Sequence, residues 1–238
     1  MILNISNLSK SYDNKKILDN INLYLNDNEI ISIIGKSGSG KSTLLNIIVG
    51  IEKEDSGNIE SNGKISYMFQ SDALIDYITN INNALIGLKI ENKLNNDNIK
   101  KAYKYLKKYK LIEYKDNYPK SISGGMRQRL SLIRTLIINP KIILLDEPLS
   151  KLDYITKLEI EDDIYKEIKD NNKSGIIVTH DIEEAVSMSD RIYFLNDKSI
   201  KKEYKIEKDW INPSDARISS KFRKYVNSIL RNMKNEES

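Results

Sequence analysis

A glycine-rich segment constrains the fold of this chain more than any other feature. Residues 35–43 read Gly-Lys-Ser-Gly-Ser-Gly-Lys-Ser-Thr. They follow residues 30–34, an apolar run typical of a buried strand, and lead into residues 43–49, which predict a helix. Glycines let a backbone wrap closely enough for its N–H groups to point at phosphate oxygens, and a helix N-terminus adds partial positive charge. The strand, loop and helix therefore predict a phosphate-binding loop.

The loop fits the pattern G-x-x-x-x-G-K-[ST] in full, and its last residues have physical tasks. Lys41 is expected to bring a point charge to the β- and γ-phosphates of a nucleotide, and the Ser42 hydroxyl to ligate Mg²⁺. A glycine-rich turn without function is the alternative, and the flanking strand and helix argue against it. The predicted nucleotide-binding residues of the loop are Gly35, Lys36, Ser37, Gly38, Ser39, Gly40, Lys41, Ser42 and Thr43.

Two adjacent carboxylates follow an apolar segment further along the chain. Residues 142–145 predict a buried strand, and Asp146 and Glu147 come directly after it. In open α/β sheets, ligands bind at the carboxyl ends of the strands. Asp146 is predicted to hold Mg²⁺, and Glu147 to act as the general base that polarises the attacking water. Acidic residues often leave a strand into solvent, so this prediction depends on the phosphate loop.

The counts of cysteine and histidine exclude several classes of site. The 238 residues include no Cys and a single His. Disulfides, a thiolate nucleophile, Cys-based zinc or iron–sulfur sites and multi-His metal cages are therefore excluded. Any metal must be a hard cation with oxygen ligands. The net charge of +4, from 38 basic and 34 acidic residues, indicates a solvated surface rather than a nucleic-acid partner.

No segment of the sequence predicts a membrane span or a signal peptide. The longest apolar runs fall far short of the ~18 residues that a spanning helix needs. The N-terminus lacks a basic region followed by a long apolar stretch. We expect a soluble protein, which another chain would have to carry to any membrane.

Short apolar runs alternate with helical patterns and predict an α/β fold. Continuous apolar strands of this kind belong to a mainly parallel sheet that is covered on both faces. Polar alternation over residues 17–25, after the short run 3–5, instead predicts antiparallel strands at the edge of that sheet. Between about 71 and 135 the pattern becomes helical. The predicted parallel strands are 30–34, 65–69, 142–145, 176–178 and 192–195.

Apolar residues at helical spacing predict which helix faces are buried. One stripe consists of Ile99, Tyr103 and Leu106, with lysines around the other side. That basic face could contact phosphate or lipid headgroups, although a solvated face is the more common case. Further stripes are formed by Ile160, Ile164 and Ile168 and, after Pro213, by Phe222, Val226, Ile229 and Leu230.

A second glycine-containing segment narrows the class of nucleotide-binding protein. Residues 121–129, Ser-Ile-Ser-Gly-Gly-Met-Arg-Gln-Arg, resemble the signature sequence of ABC transporter ATPases and precede the Asp-Glu strand, as in that family. The resemblance covers about residues 1–206. The other matching motifs, in order, are an adenine-stacking aromatic at Tyr12, a glutamine closing a strand at Gln70, Ser-Lys-Leu-Asp at 150–153 and Val-Thr-His-Asp at 178–181.

The resemblance implies a P-loop NTPase fold with a mainly parallel sheet, an antiparallel β subdomain at the edge and an inserted helical subdomain. It implies an ABC ATPase domain at 1–206, with the helical subdomain at about 71–135, and a short C-terminal helical extension at 207–238. ATP and Mg²⁺ are the implied cofactors.

The resemblance also implies roles for individual residues. Ser123, Gly124 and Gly125 head a helix and would bind the γ-phosphate of ATP held by a second copy, so two chains would sandwich two ATP molecules. His180 would contact the γ-phosphate and orient the water beside Glu147. The implied catalytic residues are Glu147, His180 and Gln70, the Mg²⁺ ligands Ser42, Gln70 and Asp146, and the adenine-stacking and site-coupling residues Tyr12 and Asp153.

The loop that carries His180 has a predicted anchor of its own. Asp181 begins a helix, and Glu184 follows at the spacing of a capping box. Reciprocal bonds between these side chains and backbone N–H groups would fix the loop.

Two positions depart from the family pattern, because Met126 stands where Gln is common and Ile122 where Leu is common. A backbone anion site needs neither side chain, so we expect activity to be kept. Residues 124–129 and the run Thr-His-Asp-Ile-Glu-Glu-Ala at 179–185 are similar to the importer subgroup for nitrate, alkanesulfonates, taurine and related small compounds.

The resemblance implies an ATPase subunit that lies peripherally at the cytoplasmic face of the cell membrane. It would bind separate transmembrane permease subunits and depend indirectly on an extracytoplasmic substrate-binding protein. An exporter or lipoprotein-release subunit is one alternative. A non-transport ABC ATPase that acts on nucleic acid or ribosomes is another, although the chain has neither coiled-coil insertions nor a second cassette.

Overall fold

The computed structural model describes residues 1–235, and the last part of the predicted C-terminal extension, residues 236–238, lies outside the described residues. The strands are β1 (Leu3–Tyr12), β2 (Lys15–Leu25), β3 (Ile30–Ile34), β4 (Ser56–Ser61), β5 (Ile65–Met68), β6 (Ile142–Asp146), β7 (Ser174–Thr179), β8 (Arg191–Asn196) and β9 (Ser199–Lys205). The helices are α1 (Lys41–Ile48), α2 (Asn80–Ile90), α3 (Asn96–Lys108), α4 (Gly124–Ile137), α5 (Tyr154–Lys169), α6 (Ile182–Met188), α7 (Pro213–Ala216) and α8 (Ser220–Asn235).

A six-stranded sheet in the order β5-β6-β7-β3-β8-β9 forms the centre of the molecule. The first five strands are parallel, and β9 pairs antiparallel with β8. Every residue of β3, β6 and β7 is buried, as expected for apolar strands covered on both faces. The mainly parallel sheet is confirmed. Strand β9 was not predicted, because Tyr204 is its only buried residue.

The antiparallel strands at the N-terminus form a sheet of their own, in the order β2-β1-β4. The predicted antiparallel subdomain is confirmed, and it lies beside the edge of the central sheet, where the Asp19 N–H of β2 donates to the Lys198 carbonyl next to β9 at 2.7 Å. It does not extend that sheet. Strand β1 pairs with β2 on one side and β4 on the other, so its backbone has no open edge for the central sheet. Its apolar side chains instead pack in one core with α1 and the central strands. Strand β4 was missed because Ile59 is its only aliphatic side chain.

Helices α2, α3 and α4 occupy the region predicted as helical. In α3 the predicted stripe is partly wrong, because Tyr103 is exposed whereas Ala102, Tyr105 and Leu106 are buried. The reason is a polar partner on a neighbouring helix, since the Tyr105 hydroxyl donates to Glu167 Oε1 of α5 at 2.9 Å. A buried tyrosine needs such a partner, and the spacing pattern does not reveal it.

The predicted apolar face of α5 is confirmed, and that of α8 is confirmed except at Leu230, which lies at the solvent-exposed side of the helix. The stripe Ile160, Ile164 and Ile168 of α5 is buried. In α8, Phe222 and Ile229 are buried, Val226 is partly buried and Leu230 is exposed. Within residues 1–235, no helix has the length and apolar content that crossing a membrane requires.

The two tyrosines of α3 provide a test of the packing. Tyr105→Ala should lower the free energy of unfolding by about 3 kcal/mol, because it leaves a cavity between α3 and α5. Tyr103→Ala should change it by no more than about 0.5 kcal/mol, because the side chain faces solvent. Urea unfolding followed by circular dichroism measures both. Equal effects of the two substitutions would contradict the observed orientation of α3.

Candidate nucleotide-binding and hydrolysis site

The loop between β3 and α1 is shaped by glycines that no other residue could replace. Gly40 caps α1 with φ of 98°, a left-handed conformation that side chains disfavour. A Cβ atom at Gly40 would lie 2.8 Å from Leu18 Cδ2. At Gly35 it would lie 2.2 Å from the carbonyl oxygen of Leu195. The close approach of strand β8 therefore requires glycine at position 35. The left-handed start of helix α1 requires it at position 40.

Lys41 lies buried across this loop. Its ammonium donates to the carbonyl oxygens of Gly35 at 2.8 Å and Lys36 at 2.7 Å. Burial lowers the pKa of Lys41, and the nearby carboxylates of Glu147 and Asp146 oppose that shift. The ammonium is thus held between the loop and the two carboxylates, where a phosphate group would meet it.

Asp146 ends strand β6 and is buried. Its carboxylate accepts hydrogen bonds from the hydroxyls of Ser42 and of Tyr67, the latter at 3.2 Å. Burial raises the pKa of Asp146, and these two hydrogen bonds partly offset the shift. Gln70 lines the same cleft. The hydroxyl, carboxylate and amide oxygens of Ser42, Asp146 and Gln70 are the hard ligands that suit Mg²⁺, so the donor set fits this ion.

Glu147 contacts two other predicted site residues, Gln70 and His180. One carboxylate oxygen accepts from Gln70 Nε2 at 3.1 Å, and the other lies 3.0 Å from His180 Nδ1. The backbone of Glu147 has φ of 47°, an uncommon conformation for a side chain of this type. Its N–H donates to the Val178 carbonyl at 2.8 Å, and its carbonyl accepts from Gln128 Nε2 at 3.0 Å. These bonds hold the strained turn that aims the carboxylate.

An open cleft of about 270 Å³ runs along the loop and ends at these carboxylates. Among residues 1–235, the predicted loop residues that do not line it are Gly35, Lys36 and Ser39. The cleft is lined by Tyr12, Ile17, Ser37, Gly38, Gly40, Lys41, Ser42, Thr43, Gln70, Asp146 and Glu147.

Tyr12 lies at the outer end of this cleft and is partly exposed. Its hydroxyl donates to Glu52, whose other carboxylate oxygen accepts from Asn46 Nδ2 at 2.9 Å. The ammonium of Lys10 lies 5.4 Å from the ring centroid. The ring is therefore held at its hydroxyl and stays open to a stacking partner.

The signature residues do not belong to this cleft. Within the described part of the chain, Ser123, Gly124, Gly125 and Asp153 are not among its lining residues. Ser123 caps α4, and its hydroxyl accepts from the Met126 N–H at 3.3 Å. Outside its own helix, a Cβ atom at Gly124 would have no neighbour within 4 Å, whereas one at Gly125 would lie 3.2 Å from Leu152 Cδ2. The start of α4 is therefore open at Gly124 and covered at Gly125.

Asp153 has a local role at the start of α5. Its carboxylate accepts from the Thr156 N–H at 3.0 Å, and this hydrogen bond lowers the pKa of Asp153. This cap holds the last residue of the Ser-Lys-Leu-Asp segment against the first turn of α5.

The predicted capping box at Asp181 is only half present. Asp181 caps α6 by accepting from the Glu184 N–H at 3.1 Å. The Asp181 N–H, however, donates to the Thr179 hydroxyl at 3.0 Å, and Thr179 in turn donates to Glu184 Oε2 at 3.3 Å. The reciprocal bond from Glu184 is therefore replaced by one through Thr179.

Two residues that hold the adjacent carboxylates, Gln128 at Glu147 and Tyr67 at Asp146, were not predicted from the sequence. Gln128 is buried in α4 and joins three segments, because its oxygen accepts from the Lys151 N–H at 3.1 Å while its nitrogen donates to Glu147. Tyr67 holds Asp146. The only signal for Gln128 was a polar residue on the apolar face of a predicted helix.

Comparison with known proteins identifies the family. A family model described as "ABC transporter" matches residues 18–150, more than half of the chain. The chain belongs to the ABC transporter family. It is 34% identical over 226 residues to an aliphatic sulfonates import ATP-binding protein of Corynebacterium glutamicum. The aligned region covers 95% of this chain and 91% of that relative.

The chain is also similar to a longer import protein and to a solved cassette structure. A spermidine/putrescine import ATP-binding protein of Pasteurella multocida is 37% identical over 206 residues, covering 82% of this chain and 55% of that relative. A dimeric ATP-binding cassette in a post-hydrolysis state with ADP and Pi superposes with a TM-score of 0.81 at 31% identity. That match covers 87% of this chain and all of the other. The chain is therefore an ABC ATPase.

The position of Lys41 predicts its effect on nucleotide binding. Lys41→Ala should weaken ATP affinity by about 30-fold or more, because it removes charge-assisted hydrogen bonds of about 2–3 kcal/mol to the phosphates. Isothermal titration calorimetry measures the affinity. Lys100→Ala, which removes an exposed ammonium on α3, serves as the control and should bind ATP as the parent does. Unchanged affinity of Lys41→Ala would contradict the assignment of the loop.

Proposed function

We propose that this chain is the ATP-hydrolysing subunit of an ABC importer. The observation that carries the proposal is that Glu147, which lines the same cleft as Lys41, contacts both Gln70 and His180. A carboxylate, an imidazole and an ammonium that converge where a γ-phosphate would lie are the parts required for hydrolysis. The names of the two relatives described above support import.

In the proposed reaction, ATP binds along the cleft with adenine on Tyr12 and its phosphates on the loop N–H groups and Lys41. Glu147 then accepts a proton from water as the water attacks the γ-phosphate, and His180 orients that water. Mg²⁺, held by Ser42, Gln70 and Asp146, would neutralise charge on the β- and γ-phosphates. Lys41 keeps its ammonium beside the oxygens that gain charge.

The proposed active form is a homodimer with two ATP molecules between the chains. It is supported by the start of α4 at Ser123, Gly124 and Gly125, which does not line the cleft of its own chain and is open at Gly124. The first N–H groups of a helix suit a phosphate. A second chain can place this helix start on the γ-phosphate, so each site would be completed in the dimer. Asp153 would then lie near the contact and link the two sites. The dimeric cassette described above supports this arrangement.

Coupling to permease subunits is proposed through the segment that follows Gln70. Asp72 accepts from Arg127 of α4 at 2.8 Å, and Arg134 donates to the Asp72 and Ala73 carbonyls at 2.7 Å. Tyr77 projects from the same segment with 82% of its surface exposed. The anchored segment, with α2 behind it, is a surface that can move with Gln70 and dock on separate transmembrane chains.

The remaining parts of the proposal concern location, domains and solute. We infer that the chain lies peripherally at the cytoplasmic face of the membrane, with a domain at 1–206, its helical subdomain at about 71–135 and the extension at 207–238. A substrate-binding protein outside the membrane would complete the system. The proposed solute is a small anion such as nitrate, a sulfonate or taurine, in line with the sulfonate importer described above.

Replacement of the proposed base tests the mechanism. Glu147→Gln should lower ATP turnover by about 100-fold or more, because the amide cannot accept the proton. It should also trap an ATP-bound dimer, which size-exclusion chromatography with light scattering detects. Glu159→Gln, an exposed change on α5, should keep the turnover of the parent. A Glu147→Gln protein that stays monomeric with ATP and hydrolyses it normally would overturn the base assignment.

Coexpression with the permease genes beside its own gene tests the importer assignment. The chain should then be recovered with detergent-solubilised membranes. Tyr77→Asp should release it while leaving its ATPase activity unchanged, because the substitution replaces an exposed aromatic ring on the docking surface with a charge. Tyr103→Asp on exposed α3 should leave membrane recovery unchanged. Recovery on nucleic acid or ribosomes instead of membranes would support the non-transport alternative.

A further inference from the structure

A buried ion pair lies directly behind the loop that carries His180. Glu184, on α6, has almost no exposed surface, and burial raises the pKa of its carboxyl while the neighbouring Lys157 ammonium opposes that shift. The ammonium of Lys157 lies 3.3 Å from Glu184 Oε2 and also contacts the carboxylate of Asp181. Lys157 itself is largely buried, with 15% of its side chain exposed. The Lys157 ammonium therefore contacts both Asp181, the residue next to His180, and Glu184 on the following helix α6.

Lys157 connects two segments that each carry a part of the proposed active site. It lies one turn into α5, and its N–H donates to the carbonyl of Asp153, the residue that caps this helix, at 2.8 Å. Its side chain ends on the loop after β7. A cavity of about 170 Å³ between these segments is lined by Glu147, Lys157, His180, Asp181 and Glu184, among others.

Stability alone does not account for this cation. Two charges taken out of water lose hydration that their mutual attraction scarcely repays, so a buried pair is a weak source of stability. Such a pair does define one arrangement of the groups it joins. Here the arrangement includes the Asp181 cap and the Thr179 hydroxyl on either side of His180. The 3.0 Å contact between His180 Nδ1 and Glu147 depends on the position of this loop.

We propose that Lys157 is a positioning residue for ATP hydrolysis, which holds His180 against Glu147 by anchoring Asp181 and Glu184 to α5. The proposal rests on the roles proposed above for His180 and Glu147. Lys157 does not line the nucleotide cleft, so it acts on turnover and not on the binding of ATP.

Substitution of Lys157 separates turnover from binding. Lys157→Gln should lower kcat about 10-fold, because small displacements of catalytic groups are costly, and should change the KM for ATP by less than about twofold. Lys157→Arg keeps the cation and should restore kcat to within about threefold of the parent. Lys169→Gln is the matched control, since Lys169 lies on the same helix and pairs with Asp190 at 2.7 Å, away from the site. It should keep the parent kcat.

A double-mutant cycle with His180→Ala decides whether Lys157 acts through His180. The double variant should be no slower than His180→Ala alone. Independent, multiplying losses would overturn the proposal, as would equal kcat losses in Lys157→Gln and Lys169→Gln. If His180→Ala keeps full activity, the proposed role of His180 fails and the role of Lys157 fails with it. If His180→Ala is slow while Lys157→Gln is as fast as the parent, only the role of Lys157 fails.

Discussion

The parallel register of the central sheet is the constraint on which the site depends. Ile34 pairs with Thr179, and Asp146 pairs with Val178, so β3, β6 and β7 end at nearly the same level. The phosphate loop, the carboxylates and the histidine loop each begin where one of these strands stops. Strand β5 ends beside β6 through the pair Met68 and Leu145, which brings Gln70 to the same edge. Four segments that are far apart in sequence therefore meet at one edge of the central sheet.

The charges at this edge are unbalanced in a way that suits the proposed substrate. The cleft holds one ammonium, that of Lys41, against the carboxylates of Asp146 and Glu147. A polyphosphate alone would add negative charge to this excess, and the partial charge of the α1 N-terminus offsets little of it. A divalent cation held by Asp146 and Ser42 would remove this conflict, and their carboxylate and hydroxyl oxygens suit such an ion.

Sequence predicted those features that are determined locally. Continuous apolar runs marked the buried parallel strands, and the glycine pattern marked the phosphate loop, because both follow from residues next to each other. Strands β4 and β9 were missed because exposed edge strands carry few apolar side chains. Tyr103 was predicted to be buried because periodicity cannot reveal that Tyr105 finds Glu167. Gln128 and Lys157 were missed because their partners lie 19 and 24 residues away, beyond any local pattern.

The separation of Ser123 from Lys41 has a thermodynamic consequence for the proposed dimer. If a γ-phosphate must contact both the loop of one chain and the α4 start of another, the affinity for ATP and the affinity between chains are linked, and each increases the other by the same factor. Loss of the γ-phosphate removes the group that both surfaces share. Hydrolysis can then separate the chains without a distinct release device, and the anchored segment after Gln70 would pass that separation to the permease. In the proposed dimer, the nucleotide would supply the contact at the start of α4, so closure there would need no apolar surface.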